Sequence, residues 1–160
     1  MPASRAPQRS EAGAAAQATE HRTCRKGPCP ACPYRRDVPS GVWAPEEYEK
    51  LRRYDQPTGE QPWQPFLCHA TPGRLCHGWA VVHTSRGHEF DLLALRLIRH
   101  DPEIPDAPAV PLFASGCEAA DHGLRDIAAP SADARSAMDT LRRYPHLAEG
   151  LDSAGKSDPI

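Results

Sequence analysis

Two pairs of cysteines constrain how this chain can fold more than any other feature of its sequence. Cys29 and Cys32 form the C-x2-C segment CPAC, and Cys68 and Cys76 lie in FLCHATPGRLCHGW. A C-x2-C segment lets two thiolates and the backbone amides between them wrap around one cation. Pro72-Gly73, between the second pair, is a strong turn signal. A turn there brings Cys68 and Cys76 together, so the spacing predicts that the two pairs form one site.

The composition favours metal binding over disulfides. The chain has 160 residues, of which 39% are hydrophobic and 6% aromatic, with 18 prolines and 11 glycines, so its core is thin and needs a staple. The N-terminus MPASRAPQRSEAGAAAQATE lacks the apolar region of a secretory signal, and no segment offers the about 20 apolar residues of a membrane span. We therefore expect a cytoplasmic protein, in which disulfides rarely persist.

The expected metal is zinc, held by the thiolates of Cys29, Cys32, Cys68 and Cys76. A [4Fe-4S] cluster takes the same four ligands and stays an alternative. Two further alternatives give the cysteines no metal: they could be small buried hydrophobic residues, or CPAC could be a redox dithiol. The redox hypothesis is weakened because only EHRTCRKGP and a low-complexity tail precede Cys29, where such dithiols need a strand.

Three further residues could contribute to the site. Cys24 extends the first pair to C-x4-C-x2-C, and His69 and His77 each follow a proposed ligand. Either histidine could replace a cysteine or donate a hydrogen bond to a thiolate. Neighbours of ligands usually point elsewhere, because adjacent residues rarely reach the same metal. We expect Cys117 to lie in the core away from the site, and His83 to lie on the surface.

The remaining pattern predicts a mainly α, small, loop-rich single domain that is stapled by the four-cysteine metal site. The expected organisation is a disordered tail over 1–21, a metal-binding domain over 22–149 and a second disordered tail over 150–160. Predicted helices lie in APEEYEKLRRY, FDLLALRLIR, SGCEAADHGL and PSADARSAMDTLRRY, whereas GWAVVH is ambiguous between strand and helix. Ser115 and Ser131 are the expected N-caps, and Gly123 is the expected C-terminal stop.

Charge and motifs indicate a binding module more than an enzyme. The net charge is -2, and the sequence contains no P-loop, G-x-G-x-x-G, H-E-x-x-H or G-x-S-x-G motif. Basic residues nevertheless surround the first cysteine pair, where they could neutralise thiolates or grip phosphates: Arg22, Arg25, Lys26, Arg35 and Arg36. We expect a protein partner rather than nucleic acid, and no membrane. The alternative is an iron–sulfur protein with a redox-sensing or DNA-regulatory role.

At PCPACPYRRDVPSG, FLCHATPGRLCHGW and LALRL the chain resembles an uncharacterised cysteine-rich domain-of-unknown-function family of GC-rich bacteria and their phages. The family pattern is C-x2-C-P-aromatic-R, a distant C-H, C-x-G-aromatic and an apolar helix. The matching residues are Cys29, Cys32, Pro33, Tyr34, Arg35, Cys68, His69, Cys76, Gly78 and Trp79. The resemblance implies that these four cysteines belong to one frame, without Cys24 and Cys117, and implies no particular activity.

A second likeness covers CPACPYRRDVPSGVW and KLRR, which are similar to the C-x2-C and G-V-W elements of the WhiB-like iron–sulfur regulators. The chain departs from that pattern at Val38, where a further cysteine is expected. This likeness implies a cluster and DNA binding, which are the alternative function.

Overall fold

The computed structural model describes residues 27–84, 92–97, 110–144 and Leu151. Two short 3-10 helices, Arg53–Asp55 and Thr58–Glu60, follow the first α-helix. The α-helices of the described ranges are α1 (Pro45–Arg52), α2 (His77–Thr84), α3 (Leu93–Leu97), α4 (Gly116–Leu124) and α5 (Ala132–Arg142). Over these ranges the chain is helix-rich and has only two isolated β-bridges, Arg35 with Leu112 and Leu67 with Leu75. The mainly α prediction is confirmed there. Both predicted tails lie outside the described residues apart from Leu151, as does Cys24.

Helix α1 begins where the sequence predicts. Pro45 occupies the first turn, Glu46 and Glu47 follow, and Arg52 lies in the last turn, so charged side chains oppose the helix dipole at both ends. Tyr48 and Leu51 are buried on one face, as the apolar stripe predicts. That face packs against α4.

Helices α4 and α5 begin at the predicted N-caps. The Ser115 hydroxyl accepts a hydrogen bond from the Glu118 N–H, and the Ser131 hydroxyl accepts one from the Ala134 N–H. The stop predicted at Gly123 is wrong, because α4 continues to Leu124. Gly123 instead allows close packing, since a Cβ atom there would overlap the ring of Tyr48.

The ambiguous segment GWAVVH is helical and belongs to α2. Every residue from His77 to His83 is buried, so the helix has no polar face and shows no periodicity. Its Trp79 packs edge-on against Tyr54, with ring centroids 5.3 Å apart. The surface position predicted for His83 is wrong, because this residue is 2% exposed. None of the described helices is both long and apolar enough to cross a membrane.

Candidate metal centre

The C-x2-C segment forms a tight turn held at three points. The Cys32 N–H donates to the Cys29 carbonyl at 3.0 Å, and the Arg35 N–H donates to the Cys32 carbonyl at 3.0 Å. The indole N–H of the fully buried Trp43 donates to the Ala31 carbonyl at 2.8 Å. These hydrogen bonds fix the backbone on both sides of the two thiols.

The second cysteine pair lies on a short hairpin, with the turn predicted at Pro72-Gly73. Gly73 has a φ of 73°, in the left-handed region that favours glycine. The Cys68 N–H donates to the Arg74 carbonyl at 2.7 Å, and the Cys76 N–H donates to the Phe66 carbonyl at 2.8 Å. The hairpin therefore brings the two cysteines close together despite the seven residues between them.

Helix α2 starts immediately after this hairpin and presses against the C-x2-C turn. The Cys76 carbonyl accepts the first helical hydrogen bond, from the Ala80 N–H at 3.0 Å. A Cβ atom at Gly78 would lie 2.7 Å from the Cys32 sulfur and 2.8 Å from Tyr34 Cβ. The glycine two residues after Cys76 is thus the contact that lets the two cysteine loops meet.

The structure brings all four predicted ligand residues together as buried free thiols. The Cys32 and Cys76 sulfurs are 3.6 Å apart. The Cys29 thiol is hydrogen-bonded to both Cys32 and Cys68. The four side chains therefore form a continuous row, Cys68–Cys29–Cys32–Cys76. The sulfur separation far exceeds the about 2.05 Å of a disulfide.

Ionisation is unfavourable for three thiols of this row. The hydrogen bond between Cys29 and Cys32, together with burial, raises the pKa of Cys29 to about 11. For Cys32 the hydrogen bond with Cys29 lowers the pKa, but the hydrogen bond with Cys76 and burial outweigh it and raise the pKa well above the usual range. The hydrogen bond with Cys29, and then burial, raise the pKa of Cys68. The thiols of Cys29, Cys32 and Cys68 therefore stay protonated unless a cation compensates the charge.

The row is not itself a formed coordination sphere. No group of three or more His, Cys, Asp or Glu side chains in the described ranges is arranged so that it could hold a metal ion. The contacts among the thiols connect the four cysteines in the order Cys68–Cys29–Cys32–Cys76.

The basic residues beside the first pair are tied to acidic side chains. Arg35 forms an ion pair with Asp37 at 2.5 Å, and its Nη1 donates to the Cys29 carbonyl at 3.4 Å. Arg36 lies 3.7 Å from Glu118, with its guanidinium over the ring of Phe113. The Arg35 side chain therefore stabilises the C-x2-C turn through the backbone carbonyl of Cys29. Arg22, Arg25 and Lys26 lie outside the described residues.

The two histidines that follow proposed ligands have different surroundings. His69 Nε2 lies 3.1 Å from Glu47 Oε2, and its ring stacks on Trp43 with centroids 4.3 Å apart. That hydrogen bond contributes most to holding the pKa of Glu47 at about 2. His77 is 3% exposed at the start of α2. His69 thus pairs with a carboxylate on α1.

Cys117 does not join the thiol row, but it is not a core residue either, because its side chain is half-buried. It lies in the first turn of α4, where its N–H donates to Asp55 Oδ2 at 2.6 Å. The other oxygen of Asp55 lies 3.8 Å from His83 Nδ1, and His83 Nε2 lies 3.3 Å from the Tyr34 hydroxyl.

This buried polar network connects the C-x2-C turn to α4. The residue the sequence prediction missed is His83, although a histidine at the end of the apolar run GWAVV was a usable signal. A polar group inside such a run is buried with it and needs partners.

The cysteine frame, the hairpin and the helices around them can be compared with known proteins. Neither the curated proteins nor the solved structures include one that matches this chain. A family model does match residues 24–142, which contain all four clustered cysteines. The expectation of an uncharacterised family is confirmed to that extent. The chain belongs to DUF6283, a family of unknown function.

Proposed function

We propose that this chain binds one metal ion through Cys29, Cys32, Cys68 and Cys76, and that the ion is a structural zinc. The observation that carries the proposal is the meeting of four buried thiols from two loops that are far apart in sequence. The protein would then be a small cytoplasmic binding module whose fold depends on the ion.

The sulfur spacing supports a single ion over a cluster. Zinc–sulfur bonds of about 2.3 Å in a tetrahedron place neighbouring sulfurs about 3.8 Å apart. The Cys32–Cys76 separation of 3.6 Å is close to this value. A [4Fe-4S] cluster binds each thiolate to a different iron and so spreads the four sulfurs more widely. It remains the alternative cofactor, because its ligand set is the same.

The burial of the thiols supports a structural role. All four cysteines are at most 6% exposed, which leaves no open position for a substrate or water. Closed sites of four cysteine ligands are typical of structural zinc, whereas catalytic zinc keeps one position open. The ion would join the turn at residues 29–32 to the hairpin at 68–76, two segments without a regular strand ladder between them.

Metal analysis of the protein purified without oxygen tests this function. We expect about one zinc per chain and a colourless solution. A brown solution that absorbs near about 400 nm would identify an iron–sulfur cluster instead. Cys32→Ser should lose the metal, whereas Cys117→Ser, the matched control on α4, should keep the wild-type content. Equal loss in both variants, or a wild type without metal, would contradict the proposed ligands.

A further inference from the structure

A cleft of about 590 Å³ lies beside the hairpin that carries Cys68. Its lining comes from α1 with the 3-10 helix after it, from the loop over residues 62–66 and from the hairpin. The volume falls within the range of about 300–1,000 Å³ that is usual for ligand sites. The cleft is open to solvent, as a docking surface for an extended chain must be.

The apolar part of the lining contains prolines and large side chains. Pro62, Pro65 and Pro72 line the cleft together with Phe66 and Leu67. Leu67 is 41% exposed, although it is a large apolar residue. Proline and aromatic side chains form rigid contact surfaces for extended peptides, because little conformational entropy is lost when they are covered.

Trp63 is an exposed apolar side chain in the loop that lines the cleft. It lies between Pro62 and Gln64, which both line the cleft, and it is 77% exposed. The other two tryptophans, Trp43 and Trp79, are completely buried. Tryptophan is enriched among the few interface residues that contribute most of the binding free energy.

The charged side chains make the cleft electropositive. Glu47 is the single acidic residue among its lining side chains, and it is held by Lys50 at 2.5 Å and His69 at 3.1 Å. Arg53 also lines the cleft, is exposed, and makes no ion pair with any described residue. One cationic group therefore stays available in the lining of an apolar cleft.

We propose that this cleft binds an extended segment of a partner protein in which acidic residues flank an apolar or proline anchor. The apolar anchor would cover Pro62, Pro65 and Trp63, and a carboxylate would pair with Arg53. The proposal rests on the proposed function only in that the hairpin that carries Cys68 contributes to the lining of the cleft. Nucleic acid is a less suitable ligand, because two basic side chains are too few to bind a series of phosphates. The carboxylates of Glu46 and Glu49 on α1 would also repel them.

Selection from a phage-displayed library of random dodecapeptides on the immobilised full-length chain tests the proposal. The expected result is enrichment of sequences that combine Asp or Glu with Pro, Leu or an aromatic residue. The same selection on Arg53→Glu should lose these sequences. No enrichment, or sequences without acidic bias that survive on Arg53→Glu, would overturn the proposal.

Calorimetry with one enriched peptide provides the quantitative test. We expect Trp63→Ala to raise the dissociation constant by about 30-fold and Arg53→Glu by about 10-fold. Arg125→Glu, on an exposed arginine after α4, is the charge-matched control and should bind as wild type does. If Trp63→Ala and Arg125→Glu behave alike, the peptide binds elsewhere and the assignment of the cleft is wrong.

Two controls distinguish the peptide-binding proposal from the metal proposal and from nucleic-acid binding. Zinc content is measured on every variant. Peptide selection by a chain without metal would contradict the metal proposal and leave the cleft assignment in place.

A labelled single-stranded oligothymidine is mixed with wild type at about 50 mM salt. Binding that disappears by about 200 mM salt and in Arg53→Glu would replace the peptide with nucleic acid as the ligand.

Discussion

At the scale of single residues, the thiol row depends on the absence of a side chain at Gly78. The backbone of α2 approaches the C-x2-C turn so closely that a methyl group would reach within 2.7 Å of the Cys32 sulfur. Real Cβ atoms do not lie that close to a neighbouring atom, so the loop would have to move. The close contact between the two cysteine loops therefore explains the glycine of the C-x-G-aromatic pattern.

Gly78→Ala should displace the Cys32 side chain and weaken metal retention. Overpacking of this kind costs about 1–3 kcal/mol of unfolding free energy. Zinc release into a chromogenic chelator, followed over time, measures the effect directly. Gly27→Ala is the matched control, because a Cβ there meets nothing within 4 Å. Equal release rates for both alanine variants would mean that the close approach of α2 does not hold the site.

Glu47 gives a pH-dependent contribution to stability. Its pKa falls from 4.5 to about 2, chiefly through the hydrogen bond with His69, while Lys50 adds to the shift. A carboxyl whose folded pKa lies below its unfolded value stabilises the fold above the unfolded pKa. This stability is complete above about pH 4.5 and is lost as the pH falls towards about 2.

Glu47→Gln should therefore be less stable than wild type near neutral pH, with a difference that disappears in acid. Denaturant unfolding of both proteins at a series of pH values measures that difference. The comparison is confined to pH values at which both proteins keep the same zinc content, because the chain without metal is expected to unfold. A difference that does not shrink as the pH falls below about 4.5 would show that the amide disrupts packing and that the charge of Glu47 is not responsible.

At the scale of the elements, α1 and α4 pack through a small residue that faces a ring. Gly123 on α4 lies against Tyr48 on α1, and Gly116 lies against the Leu51 carbonyl. The Tyr48 hydroxyl also accepts a hydrogen bond from the Trp43 N–H at 3.2 Å. The two helices are thereby locked to each other and to the segment before α1.

Gly123→Ala should destabilise the fold even though alanine favours helices. The helix propensity gain of about 1 kcal/mol is smaller than the cost of forcing a methyl group into the Tyr48 ring. Thermal unfolding measures the net effect, which we expect to be a lower melting temperature. Gly59→Ala has open space around its Cβ and is the control. A higher melting temperature for Gly123→Ala would show that α1 and α4 can separate at little cost.

The helices that could be predicted are those whose ends and faces are encoded locally. Ser115 and Ser131 act as N-caps, and Pro45 starts α1, because capping and φ restriction depend on a few adjacent residues. The C-terminal stop at Gly123 failed because that glycine serves a contact with another helix. The fully buried α2 was ambiguous for a related reason, since a helix surrounded by protein has no polar face to reveal its period.

The meeting of the four cysteines could be predicted from the sequence, whereas the polar network around them could not. The C-x2-C segment and the Pro72-Gly73 turn indicate which cysteines converge, because both motifs fix local backbone geometry. The buried network of Tyr34, His83 and Asp55 could not be located in the same way. Its members lie on three segments and meet only through tertiary packing.

At the scale of the whole molecule, the described segment before α1 has little regular structure to hold it in place. The segment from Gly27 to Ala44 contains no helix, and it is attached through single hydrogen bonds and buried aromatic residues. The cysteine row joins this segment to the hairpin and to α2. A metal at that junction would connect three parts of the fold at once.

Removal of the metal should therefore unfold the protein. Structural zinc contributes on the order of 10 kcal/mol of binding free energy, which is comparable to the whole stability of a small domain. We expect a strong chelator with reductant to abolish the near-ultraviolet circular dichroism of Trp43 and Trp79, which are buried beside the two cysteine loops. Readdition of zinc should restore the signal, because the reduced thiols remain competent ligands. Since binding must displace protons from thiols with raised pKa values, recovery should need less zinc at pH 8 than at pH 6. An unchanged spectrum after the metal has been removed would show that the aromatic core and the helices hold the fold without the ion.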